Sequence, residues 1–308
     1  MYSGSVIGAR HSMARRRATH AGSWYSGNSN QLDGELTAWL DAAKTEAVGC
    51  KAIISPHAGL SYCGETGAYG FKNINPATTK RIVVLGPSHK RSFSGCALSK
   101  CQTFETPLYD LVADTETVSN LYKSEMFIDF EVIADEDEHS LEMQYPYIAK
   151  VMEDYRYNFK IVSIVVGDVG LDHARKYATV LEPLLADPGT VFVVSSDFCH
   201  WGSRFGYCNT NGENHVPIWQ AITNLDKQGM RIIEELDATK FDSYLAKTHN
   251  TICGRRPIIL LLCTVELHTA KNPETGSKFQ FLHYSQSSKV VRKNDSSVSY
   301  ASGVLTLS

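Results

Sequence analysis

Two hydrophobic patterns alternate along the chain. Short, unbroken apolar runs at residues 51–55 (KAIIS), 81–85 (RIVVL), 160–166 (KIVSIVV) and 190–195 (TVFVVS) read as strands buried on both faces. Between them, apolar residues recur every three or four positions. Leu32, Leu36, Trp39, Leu40 and Ala43 share one face of a helix expected over 31–44, and Leu141, Tyr145, Ile148, Ala149 and Met152 share one over 139–155. Further helices are expected at 65–72, 115–124, 172–185, 218–235 and 240–247. A last one at 257–268 is apolar all round, so it should be buried, and Pro257 suits its first turn. Shorter strands are expected at 96–99 and 130–133, with closing strands at 279–285 and 298–306. Strands alternating with helices predict an α/β fold: a single domain whose central sheet carries helices on both faces. The closing strands make that sheet mixed rather than purely parallel.

No repeat, low-complexity segment or linker divides the 308 residues, and a chain of this length builds a core without metal or disulfide staples. Residues 1–14 read as a disordered basic extension and 15–308 as one domain. Arg10, Arg15, Arg16 and Arg17 fall within the first twenty residues without an acidic neighbour. A mitochondrial presequence would add an amphipathic period, which is not evident. The longest largely apolar run, 258–265, is far too short to span a bilayer. A net charge of −3, with Lys and Arg dispersed, argues against nucleic-acid binding. Eight scattered cysteines without a CxxC pair suit reduced thiols in a cytosolic protein better than a disulfide framework.

The candidate chemistry lies where the apolar strands end. KAIIS runs into Pro56-His57-Ala58-Gly59, RIVVL into Gly86-Pro87-Ser88-His89, and TVFVVS into Ser196-Asp197-Phe198-Cys199-His200-Trp201-Gly202. In open α/β sheets the ligand crevice lies beyond the carboxyl ends of the strands, so three histidine-bearing turns can converge there. Any one of these histidines could instead bridge its own loop by hydrogen bonds. Cys253, in Asn250-Thr251-Ile252-Cys253-Gly254-Arg255-Arg256-Pro257, precedes the buried helix. A helix N-terminus and two arginines should depress its pKa toward thiolate; the other reading is a small buried hydrophobe. His57, His89 and Cys253 together would form a site for copper(I), iron(II) or zinc, with an open position, and not for magnesium or calcium. Asp197 is a further ligand or a partner that orients a histidine. His139 is a candidate acid or base with Glu142, three residues on, setting its tautomer, although the two would equally form a surface pair. No GxGxxG, Walker loop or HExxH motif supports a nucleotide or zinc-protease reading.

These stretches, with Thr19-His20-Ala21-Gly22-Ser23-Trp24-Tyr25, Asp137-Glu138-His139-Ser140 and 250–254, closely resemble the Memo family, mediators of receptor-tyrosine-kinase-driven cell motility. The resemblance implies a fold like that of class III extradiol ring-cleavage dioxygenases. In those enzymes two histidines and a carboxylate hold iron(II). By analogy His57 and His89 take the histidine positions and Cys253 replaces the carboxylate, which favours copper or iron binding and a signalling or redox role over ring cleavage. His139 and His200 would be the catalytic pair only in a working oxygenase. Asp197, Glu142, His20, Trp24 and Tyr62 are expected around the pocket. The resemblance further implies cytoplasmic and partly nuclear residence, and partners among activated receptor complexes or phosphotyrosine peptides, Rho-type GTPases and microtubule-linked factors. Arg255 and Arg256 could supply charge for a phosphate.

Overall fold

The computed structural model describes residues 14–45, 49–213 and 215–307. In chain order its elements are β1 (Arg15–Arg16), α1 (Ser29–Ala42), β2 (Cys50–Ser55), α2 (Leu60–Phe71), β3 (Arg81–Pro87), β4 (Cys96–Ser99), β5 (Thr103–Phe104), β6 (Leu111–Val112), α3 (Thr115–Tyr122), β7 (Phe127–Phe130), α4 (Val132–Asp137), α5 (His139–Glu142), α6 (Tyr145–Val151), β8 (Lys160–Val166), α7 (Leu171–Ala186), β9 (Thr190–Ser195), β10 (His200–Trp201), α8 (Ile218–Glu234), α9 (Ala238–Thr248), α10 (Arg255–Lys271), β11 (Ser277–Gln286) and β12 (Ser297–Leu307). Among these residues no helix is long and apolar enough to cross a membrane.

The large sheet runs β10-β12-β2-β9-β3-β8-β4-β7, with β11 paired to β12. Its middle strands β2, β9, β3 and β8 are mutually parallel, whereas β12 lies antiparallel to β2 and β4 antiparallel to β8. The sheet is therefore mixed, as the closing strands predict. Each central strand divides its apolar residues between two cores. Ala52, Ile54, Val83, Leu85, Phe192 and Val194 face one cluster, built with α7 to α10. Ile53, Ile82, Val84, Val191 and Val193 face the other, built with α1, α2 and α6. The period of two in a strand makes this division inevitable, and burial on both sides explains why these runs contain almost no polar residue. In α10 every residue from Pro257 to Val265 is buried, because the helix packs against α7 and α9 as well as the sheet.

Two predicted elements take a different form. The helix expected over 139–155 is broken: α5 ends at Glu142 and a new helix starts at Tyr145, with Pro146 in its first turn. Pro146 has no N–H to give to residue 142 and its ring blocks that bond, so the helix restarts where proline is tolerated. The interruption turns the Gln144 side chain inward, onto Pro56 O and Ser195 Oγ. The strand expected over 130–133 lies earlier, at Phe127–Phe130, because its parallel register with β4 ends at Ser99 opposite Phe130. Residues 132–137 are helical instead.

Of the arginines in the basic N-terminal segment, Arg15 and Arg16 form β1 beside β5, and Arg16 is fully buried. It donates to Asp135 Oδ1 at 2.8 Å, Glu142 Oε2 at 2.5 Å, and the carbonyls of Asp135 and Glu138. Arg17 forks onto Glu136. Arg10 and the remainder of the expected extension, 1–13, lie outside the described residues.

Candidate metal centre

Strands β2, β9 and β3 are neighbours in the sheet, so the turns bearing His57, Asp197 and His89 emerge side by side at its carboxyl edge. His57 is buried, and its backbone N–H donates to Asp197 Oδ1 at 2.8 Å. Its Nδ1 lies 2.7 Å from Ser195 Oγ. That hydroxyl already gives its one proton to Ser140 O at 2.6 Å and accepts from Gln144 Nε2 at 2.9 Å. His57 Nδ1 must therefore donate, which leaves an unprotonated Nε2 facing Cys253 Sγ 3.1 Å away.

The same accounting fixes two more imidazoles. His89 Nδ1 lies 2.9 Å from Glu138 Oε1, and the backbone N–H groups of His89, Lys90 and Ser140 also converge on that carboxylate. A buried carboxylate can only accept, so His89 carries its proton on Nδ1. His200 Nδ1 faces two carbonyls, Phe198 O at 2.9 Å and Thr251 O at 3.1 Å, and donates likewise. Tying one ring nitrogen to a fixed acceptor is how metal-binding histidines are oriented.

His139 stacks on His89 with ring centroids 4.5 Å apart and meets His57 edge-on at 5.4 Å. Trp24 covers it at 4.4 Å. Burial, reinforced by His89, pushes the His57 pKa well below its ordinary value; burial and His57 do the same to His139. Both are neutral imidazoles, the form that binds metals. Burial also raises the Asp197 carboxyl above its ordinary value, against the pull of His200.

Two overlapping donor sets result: His57, His89 and His139; and His57, Asp197 and Cys253. Within each set one ligand atom per residue lies within 4.8 Å of the others. Imidazole, carboxylate and thiol donors at this spacing could hold a transition-metal ion. His89 and Cys253 also line a common cavity of about 600 Å3 whose rim carries Lys90, Arg91, Arg255 and Arg256.

A model of the family described as Memo-like protein matches residues 16–304. The chain belongs to the Memo family. It is 47% identical over 290 residues to Protein memo-1 homolog of Caenorhabditis elegans, covering 94% of this chain and 82% of that protein. It is 47% identical over 293 residues to Protein MEMO1 of Xenopus laevis and 46% identical over 293 residues to Protein MEMO1 of Homo sapiens, each match covering 95% of this chain and 97% of the relative.

Several sequence expectations change in this Memo-family chain. Cys253 is not a depressed thiol: burial, and then the nearby Asp197, push its pKa far up. Its two arginines point elsewhere, Arg255 outward and Arg256 onto Asp168 Oδ1 at 3.0 Å. The thiol can donate to His57 Nε2, so an incoming cation has a proton to displace. Glu142 does not set the His139 tautomer. It accepts from Arg16, His20 Nδ1 and Tyr25 OH, and the carboxylate nearest His139 is Glu138, 3.6 Å from its Nδ1. Asp197 meets His57 through the backbone rather than the ring, and of its two expected roles that of a further ligand, beside Cys253, is the one the donor sets support. Tyr62 is exposed and lines a separate cavity with Trp24 and Arg204. Sequence reasoning missed Ser195, Gln144 and the bonding role of Glu138. Only Glu138 had a signal, its position beside His139 in an acidic run.

Gly254, next to Cys253, packs tightly against the turn after β9. A β-carbon there would stand 2.4 Å from Ser196 Cβ and 2.5 Å from Ser195 O. Gly254→Ala is expected to cost about 1–3 kcal/mol by overpacking and to push Cys253 off His57. Thermal denaturation and copper(I) titration check this, and wild-type values in both would refute it.

Proposed function

We propose that this chain is a metal-binding signalling protein which holds copper(I) or iron(II), with zinc as a competitor, through His57, His89 and Cys253, and relays receptor-tyrosine-kinase signals to the cytoskeleton and cell movement. The observation that carries the metal assignment is the pair of imidazoles whose Nδ1 is tied back to Ser195 and Glu138, which turns Nε2 to the cleft beside one thiol. This donor set suits a soft or borderline ion and leaves a position open. Copper or iron, when bound, would supply one-electron chemistry toward oxygen, the basis of a redox role; zinc would not. The chain's own part is to orient: Ser195 and Gln144 fix His57, Glu138 fixes His89, and Cys253 would ligate as the thiolate.

The signalling half of the proposal rests on family membership and on the motifs shared with motility mediators. It carries the expectation of cytoplasmic and nuclear residence and of Rho-type GTPase and microtubule-linked partners. Exposed Arg255 and half-buried Arg256, beside the cavity that holds Cys253, support a docking role for phosphotyrosine peptides of activated receptors.

Anaerobic copper(I) titration of wild type against Cys253→Ala tests the site. The variant should bind more than about 10-fold more weakly, since even an outer partner of a ligand matters on that scale. Equal stoichiometry and affinity would remove Cys253 from the site. Ring-opened product from a catechol panel with iron-loaded protein would replace the signalling reading with an oxygenase in which His139 and His200 act as acid and base.

A further inference from the structure

We propose that the cleft contains a second, thiol-free metal position, His57, His89 and His139, which takes a divalent transition ion and competes with the Cys253 site for the lone pairs of the histidines they share. This goes beyond the function proposed above and rests on it only in taking the cleft as a metal site.

The competition follows from hydrogen-bond accounting. Both donor sets include His57. A neutral imidazole has one lone pair on nitrogen, and His57 Nδ1 is committed as a donor to Ser195 Oγ, whose only proton goes to Ser140 O. Nε2 alone can ligate, and it can serve one ion. An ion held by His57, His89 and His139 therefore takes both shared histidines away from Cys253, since His89 Nδ1 is likewise committed, to Glu138. The reverse holds equally.

His139 is equipped for the role. Its Nδ1 is buried and makes no hydrogen bond. The nearest carboxylate oxygen, Glu138 Oε1 at 3.6 Å, is already occupied by His89 Nδ1 and Ser140 N. Buried polar atoms are normally paired, and one left over beside two histidines calls for an explanation. The ring is packed between His89 and Trp24. It lies on α5 directly after Glu138, the residue that orients His89, so one short segment supplies a ligand and positions its neighbour.

The two positions differ in chemistry. Three imidazoles form a borderline set suited to zinc, copper(II) or cobalt(II), whereas the thiol beside His57 favours copper(I). The oxidation state or identity of the ion thus decides which side of His57 is used.

The test titrates the full chain with Co2+, and separately with Cu+ under anaerobic conditions, for wild type, Cys253→Ser and His139→Phe. Wild type should develop cobalt ligand-field bands without a thiolate-to-metal charge-transfer band. Cys253→Ser should bind Co2+ like wild type and lose Cu+ affinity. His139→Phe should keep its Cu+ affinity, which also shows that it is folded, and lose more than about 100-fold in Co2+ affinity, beyond the range typical of outer-partner loss. If the phenyl ring is not accommodated, His139→Asn replaces it. A charge-transfer band on Co2+ addition that vanishes in Cys253→Ser overturns the proposal. So does unchanged Co2+ affinity in the His139 variant, or loss of both ions by a variant that melts like wild type. Failure of the copper(I) assignment would appear differently, as equal Cu+ affinity in Cys253→Ser with the Co2+ results intact.

Discussion

Arg16→Met is expected to destabilise the fold by about 3–5 kcal/mol, the typical cost of removing one partner from a buried ion pair. The guanidinium bridges Asp135 and Glu142, and both carboxyl groups are buried. Methionine fills similar volume but removes the bridge between the two acids and the donor to the Asp135 and Glu138 carbonyls, leaving Glu142 with His20 and Tyr25 alone. The acid response should shift too. Burial pushes the Glu142 pKa up, but the bonds from His20 and Arg16 more than reverse this and hold it below the usual value. A depressed folded-state pKa contributes stability above the unfolded value and loses it as pH falls through the folded one. Asp135 runs the other way, since burial outweighs Arg16 and raises it, so its penalty at neutral pH fades as pH falls. Without Arg16 the Glu142 contribution should disappear at a higher pH, and acid unfolding should begin earlier. Denaturant melts of both proteins across the acid range measure this. A loss under about 1 kcal/mol, the scale of a surface pair, would show that the cluster is not held by Arg16.

Glu138→Gln should cost about 3 kcal/mol of stability and roughly 10–100-fold in metal affinity. The buried carboxylate accepts from His89 Nδ1 and from the backbone N–H groups of His89, Lys90 and Ser140. Glutamine keeps one acceptor oxygen and turns an NH2 group toward two of these donors. His89 then loses the acceptor that fixes its proton on Nδ1, and the turn after β3 loses its anchor. Stability comes from chemical denaturation and affinity from the same copper(I) titration used for Cys253. A variant with native stability and native affinity would show that Glu138 neither orients His89 nor holds the turn.

The apolar periodicity of the sequence determined the α/β class, the central strands and the buried helix α10, because those choices depend on residues adjacent in sequence or one turn apart. It also placed His57, His89 and His200 at strand ends, since a strand that is apolar throughout stops where its polar turn begins. It did not show that β2, β9 and β3 would be neighbours, and that order is what brings the turns together. The break at Pro146 was written in the sequence, but the longer hydrophobic period over 139–155 masked it. What only the tertiary structure decided is the protonation chemistry. Ser195, Gln144 and Glu138 set the imidazoles through contacts 49 to 138 residues apart, and burial raised the Cys253 pKa where neighbouring arginines in the sequence suggested the opposite. Charge adjacency along a chain says little about electrostatics, because side chains one or two residues apart can point to different solvents, and desolvation is set by everything that packs around them.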